Sequence, residues 1–233
     1  MKIIVRCCGE RTERRCIQLA EKQGTVYAVK GSPFGETLRK SYKLAMKFNQ
    51  KWVPMIDGDV LLFDDCLRKA IAELNALPES IFCLDGKTKD KIMIKKRRAG
   101  IHIYRTELLK LALPYINNNN IKPETYVRKK MITKGYPTHQ SKIVFGLHDY
   151  EQYYTDLWRK TVCQTQKLKS MIGNRPEKWK KLAKTDLDYY IIYYAHLYGR
   201  KLKPKIIVDS RVNYSAKKML EKLGINEKRG FKA

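Results

Sequence analysis

The sequence predicts an α/β fold in which a mostly parallel sheet is flanked by helices and followed by a basic helical region. Three observations predict it. Short β-branched runs alternate with helical stretches over the first 150 residues, one of those runs ends in Asp57-Gly58-Asp59, and beyond Gly146 the pattern becomes nearly all helical.

Taken in order, Lys2 to Cys7 reads as a strand and Arg11 to Gln23 as a helix, with Gly24 as its stop residue. Thr25 to Lys30 is a second strand, and Gly31-Ser32-Pro33-Phe34-Gly35 a turn. Glu36 to Asn49 follows as a long helix, with Leu38, Tyr42, Ala45 and Met46 spaced to share one buried face. Trp52 to Ile56 is a third strand. Asp65 to Leu77 is a helix stopped by Pro78, Ser80 to Leu84 a buried strand ending at Asp85-Gly86, and Lys91 to Lys95 and Ala99 to Arg105 two more strands. Thr106 opens a helix that reaches Pro114, and Asn117 to Asn120 is a loop. Pro123 to Lys134 is helical, with proline in the first turn where its missing N–H costs nothing, and Ser141 to Phe145 is the last strand. The organisation expected is a catalytic-type domain over residues 1–150 and a basic, aromatic-rich helical region over 151–233.

Charge narrows the function. The 233 residues carry 49 Lys+Arg against 23 Asp+Glu, a formal +26, while 43% hydrophobic content leaves enough apolar matter for a packed core. Residues 151–233 hold a net +12 and the first 150 a net +14, so positive charge is denser in the C-terminal part. A polyanionic partner is expected, either nucleic acid or an anionic membrane face. The six cysteines lack the paired spacings of a zinc site or a disulfide framework, and read as buried thiols of a reducing cytoplasm. Ile3-Ile4-Val5 is too short for a signal peptide, and no stretch approaches the roughly 18 apolar residues of a membrane span. The nearest, Tyr189 to Tyr198, is short, aromatic and broken by His196.

Val53-Pro54-Met55-Ile56-Asp57-Gly58-Asp59-Val60 carries the sharpest chemical signal: an apolar strand delivers two carboxylates at its C-terminal end, where open α/β sheets bind ligands. Carboxylates at i and i+2 across a small residue can share a hard divalent cation, directly or through water, and such a cation can bridge a diphosphate. The competing reading is an acidic turn after a strand, because Asp-Gly is a common turn pair.

The order of elements leading into Asp57-Gly58-Asp59 resembles the nucleotide-sugar glycosyltransferases of the GT-A fold, above all the large family 2 type with its Asp-x-Asp motif. The resemblance spans roughly the first 150 residues as a pattern of elements and short motifs. It implies that Arg6, Glu10 and Arg11, after the first strand, wrap the nucleotide, and that Lys40, on the long helix, faces it. It implies Asp59 as direct ligand of Mn2+ or Mg2+, with Asp57 on the ribose or the metal's water shell, and Asp85 near the nucleotide-sugar. Gly100-Ile101-His102-Ile103-Tyr104-Arg105 resembles the acceptor-side strand, with His102 and Tyr104 on one face because strand side chains alternate. Pro123-Glu124-Thr125-Tyr126-Val127-Arg128-Lys129-Lys130 with Gly135-Tyr136 resembles the segment of the general base, an acidic residue followed by Arg or Lys and then Gly-Tyr; the family's usual Glu-Asp is here Glu124-Thr125, which leaves Glu124 as its candidate. In Gly146-Leu147-His148-Asp149, His148 matches a histidine that completes the metal site in some GT-A enzymes, and Asp149 is either a second base or a helix cap. The donor implied is a nucleotide sugar, UDP-linked by preference.

After residue 150 Lys and Arg alternate with Tyr and Trp, as in Trp158-Arg159-Lys160 and Trp179-Lys180-Lys181. That mixture suits DNA, and an acceptor hydroxyl on a hydroxymethylated base, as in phage-type DNA modification. It also suits a peripheral enzyme of surface-polysaccharide synthesis on the inner membrane face, which requires one helix with clustered apolar residues. A nucleic-acid-binding module without enzymatic activity and a metal-dependent nuclease remain as alternatives.

Overall fold

The computed structural model describes residues 1–118, 120, 122–167, 173–202 and 210–231. The chain forms two compact units, one of residues 1–90 and 96–150, the other of 91–95 with the segment from 151 onward.

The first unit is built on β1 (Lys2–Cys7), β2 (Thr25–Lys30), β3 (Trp52–Asp57), β4 (Val60–Leu62), β5 (Cys83–Asp90), β6 (Lys95–Arg105) and β7 (Thr138–His148), in one sheet of order β2-β1-β3-β6-β5-β7-β4. Its pairing is mixed. β1 runs parallel to β2 and β3, and β5 to β7, whereas β6 is antiparallel to β3 and β4 to β7. Alternation along β1 explains the layers. Ile3 and Val5 face α1 (Glu13–Glu21) and α3 (Cys66–Asn75), while Ile4 faces α2 (Phe34–Ala45), the short α4 (Leu109–Ala112) and α5 (Pro123–Thr133). Both faces are therefore closed, as continuous apolar runs such as Ile3-Ile4-Val5 require.

Several boundaries differ from the sequence reading. The strand expected at Ser80–Leu84 begins at Cys83 and runs on to Asp90, so that Asp85 is its third residue. No strand forms at 91–94; that segment is a turn, with Ile94 at φ +50°. Ile92 and Met93, 1% and 2% exposed, are buried in the core of the second unit. Trp179 Nε1 donates to the Ile92 carbonyl at 2.7 Å and Arg175 Nε to that of Met93 at 2.9 Å. Burying a side chain of this size stabilises by roughly 1.5–3 kcal/mol, more than the roughly 0.2–1 kcal/mol of a cross-strand pair, so the apolar run serves the helical core. β4 was not expected, three residues being too few for a period to show, and the helix expected from Thr106 is broken into 3-10 turns around α4.

In the second unit, α6 (Tyr154–Lys167), α7 (Arg175–Leu182), α8 (Leu187–Lys201) and α9 (Ser210–Lys222) enclose a core of Leu157, Trp158, Val162, Trp179, Ile191, Ile192, Ala195 and Leu220. Asp186 caps α8 by accepting from the Asp188 N–H at 2.8 Å. Asp188 itself is buried and pairs with Lys91 and, at 2.5 Å, with Lys228. No described helix is long and apolar enough to cross a membrane.

Candidate active site

The parallel register of β1 and β3 sets Arg6 beside Asp57, at the carboxyl end of both strands. Arg6 Nη2 lies 2.8 Å from Asp57 Oδ1, and Nη1 donates to Glu124 Oε1 at 2.6 Å. Glu124 comes from the first turn of α5, directly after Pro123. Alternation on β6 sends both His102 and Tyr104 to this face: Tyr104 OH donates to the same Glu124 oxygen at 2.7 Å, and His102 Nε2 is 3.2 Å from Oε2. His102 Nδ1 then lies 3.1 Å from Asp85 Oδ1, whose second oxygen accepts from Arg128 Nη1 at 2.6 Å.

Charge thus alternates along Asp57, Arg6, Glu124, His102, Asp85 and Arg128. Burial alone works against charge on His102, but Glu124 and then Asp85 outweigh it and hold the ring's pKa well above the usual imidazole range. With a carboxylate within 3.2 Å of each nitrogen, the doubly protonated ring meets an opposite charge on both sides. Burial likewise pushes Glu124 and Asp85 upward, and cations overrule it: Arg6 and His102 hold Glu124 well below the carboxylate range, while His102 and Arg128 lower Asp85. Each buried ion is compensated by the next, so deleting one strands its neighbours.

A second group forms where β4 meets β7. The 57–59 turn is clamped onto β1, with Gly58 N–H donating to the Arg6 carbonyl at 2.8 Å and Thr12 Oγ1 to the Gly58 carbonyl at 3.1 Å. This turn parts the two aspartates. Asp57 goes to Arg6, and Asp59 to His148, whose Nε2 is 3.5 Å from Asp59 Oδ1. His148 ends β7 opposite Val60, and Asp149 follows at φ +63° with Oδ2 3.2 Å from His148 Nδ1. One ligand atom each from Asp59, His148 and Asp149 lies within 4.8 Å of the others, and all three residues are buried. Two carboxylates and an imidazole are a donor set for Mn2+ or Mg2+.

Asp90, in parallel register with His148, brings Oδ2 to 2.8 Å from Nδ1 and is itself paired with Arg97. Were a cation bound, a carboxylate behind the imidazole would keep the proton on Nδ1 and turn Nε2, on the Asp59 side, to the ion; without one, carboxylates face both nitrogens. Burial opposes charge on His148, but Asp149, Asp59 and Asp90 prevail and raise its pKa to about 9. Asp57, by contrast, is raised to about 6, chiefly by burial, with Arg6 offsetting part and the charge of Asp59 adding to it. The strand ends therefore hold an excess of negative charge that a cation would relieve.

The structure brings Arg6, Asp57, Asp85 and Glu124 into one network, and Asp59, His148 and Asp149 into the other. Glu10 accepts from the Cys8 N–H at 2.7 Å beside the 57–59 turn, where a Cβ on Gly58 would stand 2.9 Å from its Oε2. Arg11 is half-buried in the same loop. Lys40 is on the exposed side of α2, with Nζ over the turn at Gly31. Asp90 and Arg97 have no mark in the sequence, whereas Arg128 lies in the Pro123–Lys130 segment that resembles the general-base motif. Nothing local marks Asp90 within a lysine-rich segment; only its register against His148 does.

No protein-family model matches the chain, and no curated protein does. Among solved structures, a mannosyltransferase from Pyrobaculum calidifontis in complex with GDP-Man and Mn2+ is 10% identical and aligns over 95% of this chain and 74% of its own, with a TM-score of 0.52. A glycosyltransferase involved in glycosylation of the major capsid of PBCV-1 is 15% identical over 64% of this chain and 92% of its own, at a TM-score of 0.43. The α/β fold is thus the one seen in the Pyrobaculum nucleotide-sugar transferase.

Proposed function

We propose that this chain is a metal-dependent glycosyltransferase that moves a sugar from a nucleoside-diphosphate donor, UDP-linked by preference, to a hydroxyl acceptor. The observation that carries this reading is the buried Asp59–His148–Asp149 group at the carboxyl end of the sheet, beside the Arg6–Asp57 pair. The likeness in fold to a transferase that binds GDP-Man and Mn2+ supports it.

Asp59, His148 and Asp149 would hold Mn2+ or Mg2+, which when bound would supply positive charge against the leaving diphosphate. Arg6 holds Asp57 towards the ribose or the metal's water shell. Glu10, Arg11 and Lys40 line the approach of the nucleotide, and Asp85 fixes Arg128 and His102 behind it. Glu124, anionic at working pH, takes the acceptor's proton if the anomeric carbon is inverted; Asp149, the other candidate from the sequence, sits in the metal group instead. Residues 1–150 carry this chemistry and residues 151–233 the contact with the acceptor's carrier. None of the six cysteines forms a disulfide, which suits a reducing cytoplasm, but Cys8, expected to be buried, is exposed and donates to the Gly31 carbonyl.

The formal +26 supports an anionic carrier, and DNA bearing a hydroxymethylated base is one. A lipid-linked acceptor at an anionic membrane face is the second reading, favoured by the outer face of α8, which carries no charged residue between Tyr189 and Gly199. The test is a panel of nucleotide sugars assayed for hydrolysis and transfer with Mn2+, with EDTA, and for Asp59→Ala. Full activity in EDTA or in the variant overturns the metal assignment, and no thermal stabilisation by any nucleoside diphosphate with Mn2+ overturns the donor class.

A further inference from the structure

Helix α8 is apolar on both sides. Its inner side packs Ile191, Ile192 and Ala195 into the core of the second unit, where helix periodicity accounts for them. On the outer side, steps of about 100° per residue bring Leu187, Tyr190, Tyr194, Leu197 and Lys201 within about a quarter of a turn; Leu187, Tyr194 and Lys201 are exposed, Leu197 half-buried, and Tyr190 half-buried with part of its ring against the core. Leu187 at 41% and Tyr194 at 39% are the exposed large hydrophobic residues among those described in this unit. From Tyr189 to Gly199 the chain has no Asp, Glu, Lys or Arg. The cations stand at the two ends: exposed Lys181 and Lys184 before the first turn, exposed Arg200 and Lys201 in the last.

Three occupants could cover such a face, and its chemistry separates them. Over the roughly 16 Å of the uncharged stretch, duplex DNA presents on the order of nine phosphates, which this face meets with no cation. Its tyrosines also pack on each other, Tyr190 with Tyr194 at 4.6 Å and Tyr193 with Tyr194 at 5.6 Å, leaving less ring surface open to stack a base. A second copy of the chain would bury at most about 250 Å² per partner along a helix of this length, against roughly 800 Å² for a stable interface, and would set lysines against lysines.

A bilayer fits all of these features. We infer that the outer face of α8 is a membrane contact, lying along an anionic bilayer with Leu187, Tyr190, Tyr194 and Leu197 at the boundary of headgroups and acyl chains. Lys181, Lys184, Arg200 and Lys201 then reach the anionic headgroups at either end. The inference goes beyond glycosyl transfer and needs neither donor nor metal, so its failure leaves that reaction class intact.

The test is flotation of the full chain with vesicles of phosphatidylcholine alone and of phosphatidylcholine mixed with phosphatidylglycerol. Binding is expected to the mixed vesicles, to weaken with salt, and to fall at least tenfold in the double variant Leu187→Ser/Tyr194→Ser. Both positions are exposed, so circular dichroism and the thermal midpoint should match the parent. Absence of binding to the mixed vesicles, or binding that the double variant leaves unchanged, overturns the inference. So does loss of duplex-DNA binding or of a dimer in the double variant when vesicles are not bound, since nucleic acid or a second copy then covers the face.

Discussion

Arg6 Nη1 stands 2.6 Å from Glu124 Oε1, although 118 positions separate the two residues in sequence. The pair ties the end of β1 to the first turn of α5 and places an anion between two buried cations, Arg6 and His102. Glu124→Gln keeps the shape and removes the charge, so the expected loss of stability is about 3 kcal/mol, read as a lowered urea midpoint. Turnover should fall by about 10²–10⁴-fold if Glu124 accepts the acceptor's proton. A variant with the parent's midpoint would contradict the network, and one with the parent's turnover would remove the base.

The same network predicts a pH dependence. The folded pKa of His102 is raised, so its contribution to stability is complete below the ordinary imidazole value of about 6.5 and is lost as pH climbs through the folded value. For Glu124 and Asp85 the folded values are lowered, so theirs is present above the ordinary carboxylate values of about 4 and lost as pH falls through the folded ones. The stability gap between the parent and His102→Gln should therefore be widest near pH 5–6 and narrow steadily on the alkaline side of about 6.5. A gap that stays constant into alkaline solution would show His102 to be neutral in the fold.

Metal binding should separate the two aspartates of the turn. Asp59→Asn is expected to abolish Mn2+ binding, read by calorimetry or thermal shift, because it removes a member of the buried group. Asp57→Asn should leave Mn2+ affinity nearly intact and weaken the nucleotide, because Arg6 already engages that carboxylate. Asp90→Asn should weaken Mn2+ by about 10–100-fold through His148 without touching the ion. Equal losses for Asp57 and Asp59 would mean that both ligate.

Gly100 is required where β6 passes Val60 and His148. It has φ +75°, and a Cβ there would stand 2.5 Å from Val60 Cγ2 and 2.7 Å from His148 Cδ2. Gly100→Ala should cost roughly 1–3 kcal/mol and reduce Mn2+ affinity by displacing the imidazole. Unchanged Mn2+ affinity would show that the ring can move without loss.

Much of the fold is legible in the chain because burial leaves a periodic trace. Ile3-Ile4-Val5 and Val53 to Ile56 are continuous apolar runs, as strands covered on both faces must be, and Pro123 marks the first turn of α5. Asp57-Gly58-Asp59 stands out because two carboxylates follow an apolar strand at its carboxyl end, where open α/β sheets bind ligands. Ile92 and Met93 misled because an apolar pair records burial and not the element that buries it.

By itself, then, the sequence determined the alternation of strands and helices, the acidic turn at the end of β3, and the excess of positive charge. The tertiary structure alone decided which charges meet. Asp57 turns to Arg6 and Asp59 to His148, Asp90 stands behind His148, and one of two apolar faces on α8 remains outside. The reason is range: periodicity is written in residues three or four apart, whereas an ion pair depends on the register of strands joined far along the chain and fixed by the whole sheet at once.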